Sequence, residues 1–543
     1  MKIIRNSMFF LGMLLLLKAT ACGKSSETDV DIKPGVGTQE EVNVTIFKGS
    51  SKNDHEMIQK AIDYASAQRI YKVYIPDGEY MISAAAITGQ PGLLFRDNIK
   101  LRLSSGAKLR AIPNNAGNYS IVRIHNVSNV SIEGGAIIGE RQEHVGTSGE
   151  WGMGIDIRRG IGVVIKDIRI SDCWGDGIYI GQESKNLLVD NIVCDNNRRQ
   201  GISVINCDGL IIQNSTFKNT NGAAPAAGID LEPNENDKAS NIQIMKCRFE
   251  NNSGLGLHMY GKFGSVTGVK VEDCVMEGNP IGLSLRYAGI SSVDIKNVTI
   301  KNSATEGLRI FDGAHSVIAN KVIVKDSEKI GIRVENAENI ELNDVTVDVF
   351  QTGFLVSKTK ILKSKDVRLT NGTIVSLAVD VKDSQSIEFD NFAIQGGKAA
   401  VNSTSNTNFK FINSIVGEQS DYGMNLSNTH DSFMENNSFS KIAMTPVQLV
   451  NSNGNSIKNN SFTDNCYQTH NLYAQVTITG SSSRNSIALN KALASTLANK
   501  PKHVVRMSVG TTGNIVATSN TFSTGAYFTS PVQDDTNGAN QTN

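Results

Sequence analysis

Gly154-Ile-Asp-Ile, Gly177-Ile-Tyr-Ile, Gly201-Ile-Ser-Val and Gly228-Ile-Asp-Leu are four copies of one phrase, glycine–hydrophobic–x–hydrophobic, which occurs nine times in succession. The others begin at Gly256, Gly282, Gly307, Gly331 and Gly353. Successive copies lie 23, 24, 27, 28, 26, 25, 24 and 22 residues apart. A period in this range marks one supersecondary unit stacked on copies of itself. Each copy also holds a second alternating run, such as VVIKDIRI or NIQIMKCRF. Alternation at period two means strands, and the spacing leaves no room for a helix of ordinary length. The chain is expected to be an all-β solenoid.

Length and composition agree. The 543 residues are absorbed by one long solenoid rather than several domains. Glycine is plentiful (49) and proline sparse (10), which suits many tight turns between short strands. With 53 basic and 53 acidic residues the formal charge is zero, so no overall attraction to nucleic acid is expected.

Residues 1–22 have the form of a signal peptide: Lys2 and Arg5, then MFFLGMLLLL, then Ala19-Thr20-Ala21-Cys22. Small residues before a cysteine resemble a bacterial lipobox. This implies lipid attachment at Cys22 and a cell-envelope location, with secretion or a periplasmic location as the alternatives. The membrane would be touched only through that lipid. Residues 23–44 are polar and read as a tether. The six later cysteines form no zinc spacing, and Cys247 and Cys274, at the same place in successive coils, read as stacked small hydrophobes in preference to a disulfide. Asparagines at coil turns, among them Asn196, Asn214, Asn251 and Asn297, read as left-handed corner residues able to hydrogen-bond along a ladder.

Residues 54–87 open with a helical face (Met57, Ile58, Ala61, Ile62, Ala65), with Asp54 as the expected N-cap. Such a helix would cover the open end of the first coil. IQKAIDYA, then VYIPDGEY, then coils of 22–28 residues resemble the pectate-lyase-like superfamily of polygalacturonases, pectin and alginate lyases, mannuronan epimerases and phage tailspikes. The resemblance implies a right-handed parallel β-helix with an N-terminal capping helix over 45–485. Residues 486–543 lose the rhythm and read as a C-terminal cap and disordered tail. The NTDG, GDD, GHG and RIK set, DPHE, and the vWiDH and RxPxxR signatures are all missing, so no catalytic residue is carried over.

The residues themselves suggest a site. If the hydrophobes of each phrase face the core, the x positions form an outward column: Asp156, Tyr179, Ser203, Asp230, His258, Ser284, Arg309, Arg333, Leu355. Two residues on lies a second column that includes Arg158, Glu232, Tyr260, Arg286, Phe311 and Glu335. Asp230, Glu232, His258 and Tyr260 fall together, and the longest coil steps flank Asp230. These four are the candidate catalytic residues. Asp156, Tyr179, Arg198, Arg199, Arg286 and Arg309 are candidate substrate contacts, the guanidinium groups suiting carboxylate or sulfate.

The expected activity is cleavage of an acidic polysaccharide, with hydrolysis by the Asp230–Glu232 pair preferred. The alternatives are β-elimination on a uronate with Tyr260 or His258 as base, its tyrosine pKa lowered by nearby arginines, or non-catalytic glycan binding. No cofactor is certain, and metal dependence is left open. Asp230 and Glu232 would be the ligands if the site used calcium, as some lyases of the superfamily do.

Overall fold

The computed structural model describes residues 41–85, 92–370 and 377–542. The signal-like stretch, Cys22 and most of the tether lie outside the described residues. The rest is a right-handed β-helix of about 18 turns.

The nine phrases form consecutive strands of one parallel ladder, which runs from Leu93–Leu94 to Val532–Asp534. Its first and last strands do not pair, so the ladder is open and extends along the solenoid axis. Alternate residues face inward. Ile155, Ile157, Ile229, Leu231, Leu257 and Met259 all lie in the core. Each phrase begins with glycine because the next coil leaves no room for a side chain. A Cβ on Gly228 would sit 2.7 Å from the Gly256 carbonyl and 2.8 Å from the Phe249 ring.

The opposite walls carry two further strands per coil. They fuse where Ile290–Lys301 pairs with both Ser265–Glu272 and Val275–Glu277. Corners between walls are left-handed residues: Asn196, Asn214, Asn251 and Asn297 have φ of 56°, 51°, 55° and 51°. Asn196, Asn214 and Asn297 also donate to an aspartate one coil back, at 2.6, 2.8 and 2.6 Å. The corner role expected of these asparagines therefore holds. The six described cysteines are buried and free.

Among the described residues, one left-handed residue is β-branched. Ile361 is left-handed (φ 56°) and exposed, between Asn339 and Ser386 in the same column. A β-branched residue pays about 1–2 kcal/mol there. Ile361→Asn is therefore expected to stabilise the protein by about 1 kcal/mol, measured as a higher urea midpoint at unchanged m-value.

At the N-terminus the helix Asp54–Gln68 buries Met57, Ile58, Ala61, Ile62 and Ala65. Its cap is Asn53, whose side chain accepts from Glu56 N at 2.9 Å. The expected cap, Asp54, instead accepts from Met81 N at 3.0 Å and ties the helix to the strand Gly78–Ile82.

The C-terminal end differs from expectation. Pairing continues beyond residue 485, and Gln541–Thr542 still pairs with Ile515–Val516. The hydrophobic rhythm fades because asparagine replaces hydrophobes at buried corners. Asn455, Asn485, Asn514 and Asn540 stack in one buried column and hydrogen-bond to one another.

Candidate functional site

The x positions stand in register as the alternation demands. Asp156 pairs with Tyr179, Tyr179 with Ser203, Ser203 with Asp230, Asp230 with His258 and His258 with Ser284. Tyr260 pairs with Arg286, and Arg286 with Phe311. These side chains point away from the core, yet many are not solvent-facing as expected. Asp156, Ser203, Asp230, His258 and Ser284 are all buried, because polar neighbours cover them.

Around Asp230 the cover is a network. Gln200 Nε2 donates to Asp230 Oδ2 at 2.9 Å, while Gln200 Oε1 accepts from Ala227 N at 3.1 Å. His258 Nδ1 stands 3.1 Å from Asp230 Oδ1, a close contact rather than an aligned hydrogen bond. The Arg199 guanidinium lies 3.4 Å from Asp176, 3.5 Å from Glu232 and 3.9 Å from Glu150, and donates to Ser203 Oγ at 3.2 Å. Burial works against the Arg199 charge, but Asp176, Asp230, Glu232 and Glu150 outweigh it and raise its pKa.

The carboxyl groups respond to this crowding. Burial and then the Asp230 charge push Glu232 up to about 7, against the pull of Arg199. Burial pushes Asp176, which is wholly enclosed, up to about 6. Carboxyl groups raised by burial and by a specific charged partner are what acid–base chemistry near neutrality needs.

Tyr260 goes the other way from expectation. Burial and its pairing with Tyr287 push the phenol above its usual range, and Arg286 only partly offsets this. The rings of Tyr260 and Tyr287 meet edge to face at 4.9 Å. The lowering that would have suited a tyrosine base does not occur.

The expected contacts divide into three groups. Arg199 joins the centre, and Arg198 lies at its rim. Asp156 is not free for a sugar: it contacts His125 at 3.0 Å and Arg158 at 2.9 Å and accepts from Ser120. Burial raises its pKa, but His125 and Arg158 outweigh that and leave it below the usual range. Tyr179 is half-buried under Arg158. On the other side Arg286 is paired with Asp312 at 2.9 Å. Arg309 donates to Ser284 Oγ at 2.8 Å and lies 3.5 Å from Glu306.

Asp176 and Gln200 were not anticipated as site residues. Each stands directly before a repeat glycine, where other coils carry Met153, Ala227, Leu255, Ile281 and Ile330. A polar residue at a position that is apolar in five of the nine phrases was the available signal. Glu306 shares that position and pairs with Arg309 and Arg333.

The donor set does not fit a calcium ion. Gln200 and His258 face the two Asp230 oxygens, and the Arg199 cation lies against Glu232.

Three comparisons bear on the chain. It is 24% identical over 475 residues to the uncharacterised protein YclG of Bacillus subtilis (strain 168), covering 75% of this chain and 80% of YclG. Pre-mature bacteriophage phi29 gene product 12 shares the fold, with a TM-score of 0.53, 14% identity, and coverage of 89% of this chain and 72% of that one. A family 28 exopolygalacturonase of Yersinia enterocolitica aligns at a TM-score of 0.45 and 13% identity, over 65% of this chain and 78% of its own. The family described as right handed beta helix region matches residues 97–267, 223–374 and 352–522. With its ladders of stacked coils and matches over most of its length, the chain belongs to the right-handed β-helix family.

Proposed function

We propose that this protein is a glycoside hydrolase acting on a polysaccharide laid across the glycine-phrase sheet. The observation that carries it is the unequal carboxyl pair: Glu232, pushed up to about 7, beside Asp230, which Gln200 and His258 fix in place. Glu232, protonated over much of the range below neutrality, gives its proton to the leaving glycosidic oxygen. Asp230 takes a proton from the water that attacks the anomeric carbon. Arg199 holds Glu232 and Asp176 on one guanidinium and fixes their spacing.

β-Elimination with Tyr260 as base is less well supported, because its phenol is raised rather than lowered. Simple glycan binding gives no reason to bury Asp176 and Asp230 so near one arginine.

The test is a panel of polysaccharides read two ways. Reducing ends should appear without the ultraviolet absorbance of an unsaturated uronate. Absorbance rising in step with chain scission would establish elimination instead.

A pH prediction follows from Glu232. Activity should fall as pH rises through about 7, where the acid loses its proton. Stability has the same sign. The folded state holds this proton between the ordinary glutamic acid pKa of about 4.3 and the raised value, so stability is lost as pH climbs across that window. Glu232→Gln should therefore melt above the parent at pH 8 and with it at pH 4. Equal melting at both pH values would show that the carboxyl is not raised.

A further inference from the structure

Beside the carboxyl centre lies a cavity of about 560 Å³, lined by residues that include Asn118, Thr147, Glu150, Trp151 and Arg198. That size suits a ligand of one or a few sugar rings. It adjoins the centre through Arg199, which reaches Glu150 on one side and Glu232 on the other. Trp151 is 50% exposed, unusual for an indole unless it has a partner to cover it.

Two cations meet at the rim. The Arg198 guanidinium lies 4.0 Å over the Trp174 ring and donates to Gly149 O at 2.8 Å. Arg141 donates to Asn196 O and Oδ1 at 2.8 and 2.9 Å, and to Asn221 Oδ1 at 2.6 Å. The two side chains come together over Gly222, where a Cβ would lie 3.0 Å from Arg198 Cγ and 3.2 Å from Arg141 Nη2. Among the described residues neither forms an ion pair with a carboxylate. Asp172 is reached only through Asn196, whose amide donates to it at 2.6 Å. Burial lowers the Arg141 pKa, Asp172 pulls the other way and Arg198 adds to the lowering. Like charges held together without a counterion favour an anion from solution.

The platform beneath them is fixed. Trp174 stacks on His144, with centroids 3.9 Å apart and planes at 10°. His144 Nδ1 sits 2.9 Å from Glu140, which also accepts from the Tyr119 hydroxyl. Arg198 is thus presented by packed aromatic groups rather than by a free loop.

We propose that this cavity is a subsite for a sugar bearing an anionic group, a carboxylate or a sulfate, with the ring on Trp151 and the anion on Arg198 backed by Arg141. The assignment deepens the glycosidase reading and rests on it for the polysaccharide.

The test uses the full chain carrying Asp230→Asn, so that ligand is not consumed, with binding measured by titration calorimetry at low salt. The probes are oligogalacturonate, oligoalginate, the carboxyl-reduced form of each, and a carrageenan oligosaccharide, which bears sulfate and no carboxylate. At least one acidic probe should bind about tenfold more tightly than a neutral one, as one charge-assisted bond allows. Whether uronate or sulfated sugar shows the preference identifies the anion. Adding Arg198→Gln should remove that preference and leave the neutral probes unchanged. Adding Trp151→Ala, at a half-exposed position, should weaken acidic and neutral probes alike.

The subsite is overturned if no acidic probe outbinds the neutral ones, or if Arg198→Gln weakens both classes equally. Charge-dependent binding by a parent chain that cuts nothing would overturn the hydrolase and leave the subsite. Cleavage without charge dependence would do the reverse.

Discussion

Asp230→Asn is expected to lower kcat by roughly 10²–10⁴-fold, the usual worth of a positioned acid or base, with little change in binding of the uncleaved polysaccharide. The amide keeps the shape of the carboxylate and can still meet Gln200 and His258, so the fold should persist. It cannot take a proton from water. Glu232→Gln should cost a similar factor but with a different pH signature, because it removes the group pushed up to about 7. The alkaline fall should vanish from whatever activity remains. Leaving groups that need no protonation should restore Glu232→Gln and not Asp230→Asn. If both variants keep parental rates, the carboxyl pair is structural and the proposed chemistry is wrong.

Asn485→Leu is expected to cost at least about 3 kcal/mol, since each buried polar group left without a partner costs about 1–3 kcal/mol. The Asn485 Oδ1 accepts from Asn455 N at 2.9 Å and Asn455 Nδ2 at 3.0 Å. Its amide donates to Ser452 O and to Asn514 Oδ1, both at 2.8 Å. Leucine satisfies none of these, and the column is buried, so water cannot replace it. In a solenoid each coil touches mainly its neighbours, so the loss should be local. Limited proteolysis should release the C-terminal coils before the rest unfolds. Asn436→Gly is the comparison, because glycine adopts the left-handed backbone at this corner (φ 60°) without strain. Asn436 stands in an exposed ladder, donating to Asn413 Oδ1 at 3.1 Å, and water can take over its bonds. It should change the urea midpoint little. Equal effects from the two substitutions would mean that the buried column carries no special share of stability.

The sequence by itself determined the solenoid, its period, and which residues share its outer wall. Strand alternation has period two, so Ile229 and Leu231 in the core leave Asp230 only one direction, and in-register stacking then puts His258 beside it. Those are local rules, and they carried Asp230, Glu232, His258 and Tyr260 to one place. The helical cover at the N-terminus was equally legible from its apolar face.

Only the tertiary structure decided what surrounds each group. Asp156 and Asp230 occupy the same position in their phrases. One is claimed by His125 and Arg158, whereas the other faces Gln200 and His258 beside a raised glutamate. Arg199 gathers Asp176, Glu232 and Glu150 from separate coils, and no spacing rule announces that. The direction of the Tyr260 shift likewise depended on Tyr287, one coil further along. The end of the solenoid was hidden for a related reason. Hydrophobic periodicity reports burial only when the buried residues are apolar, and the last coils fill part of their interior with asparagines that satisfy one another.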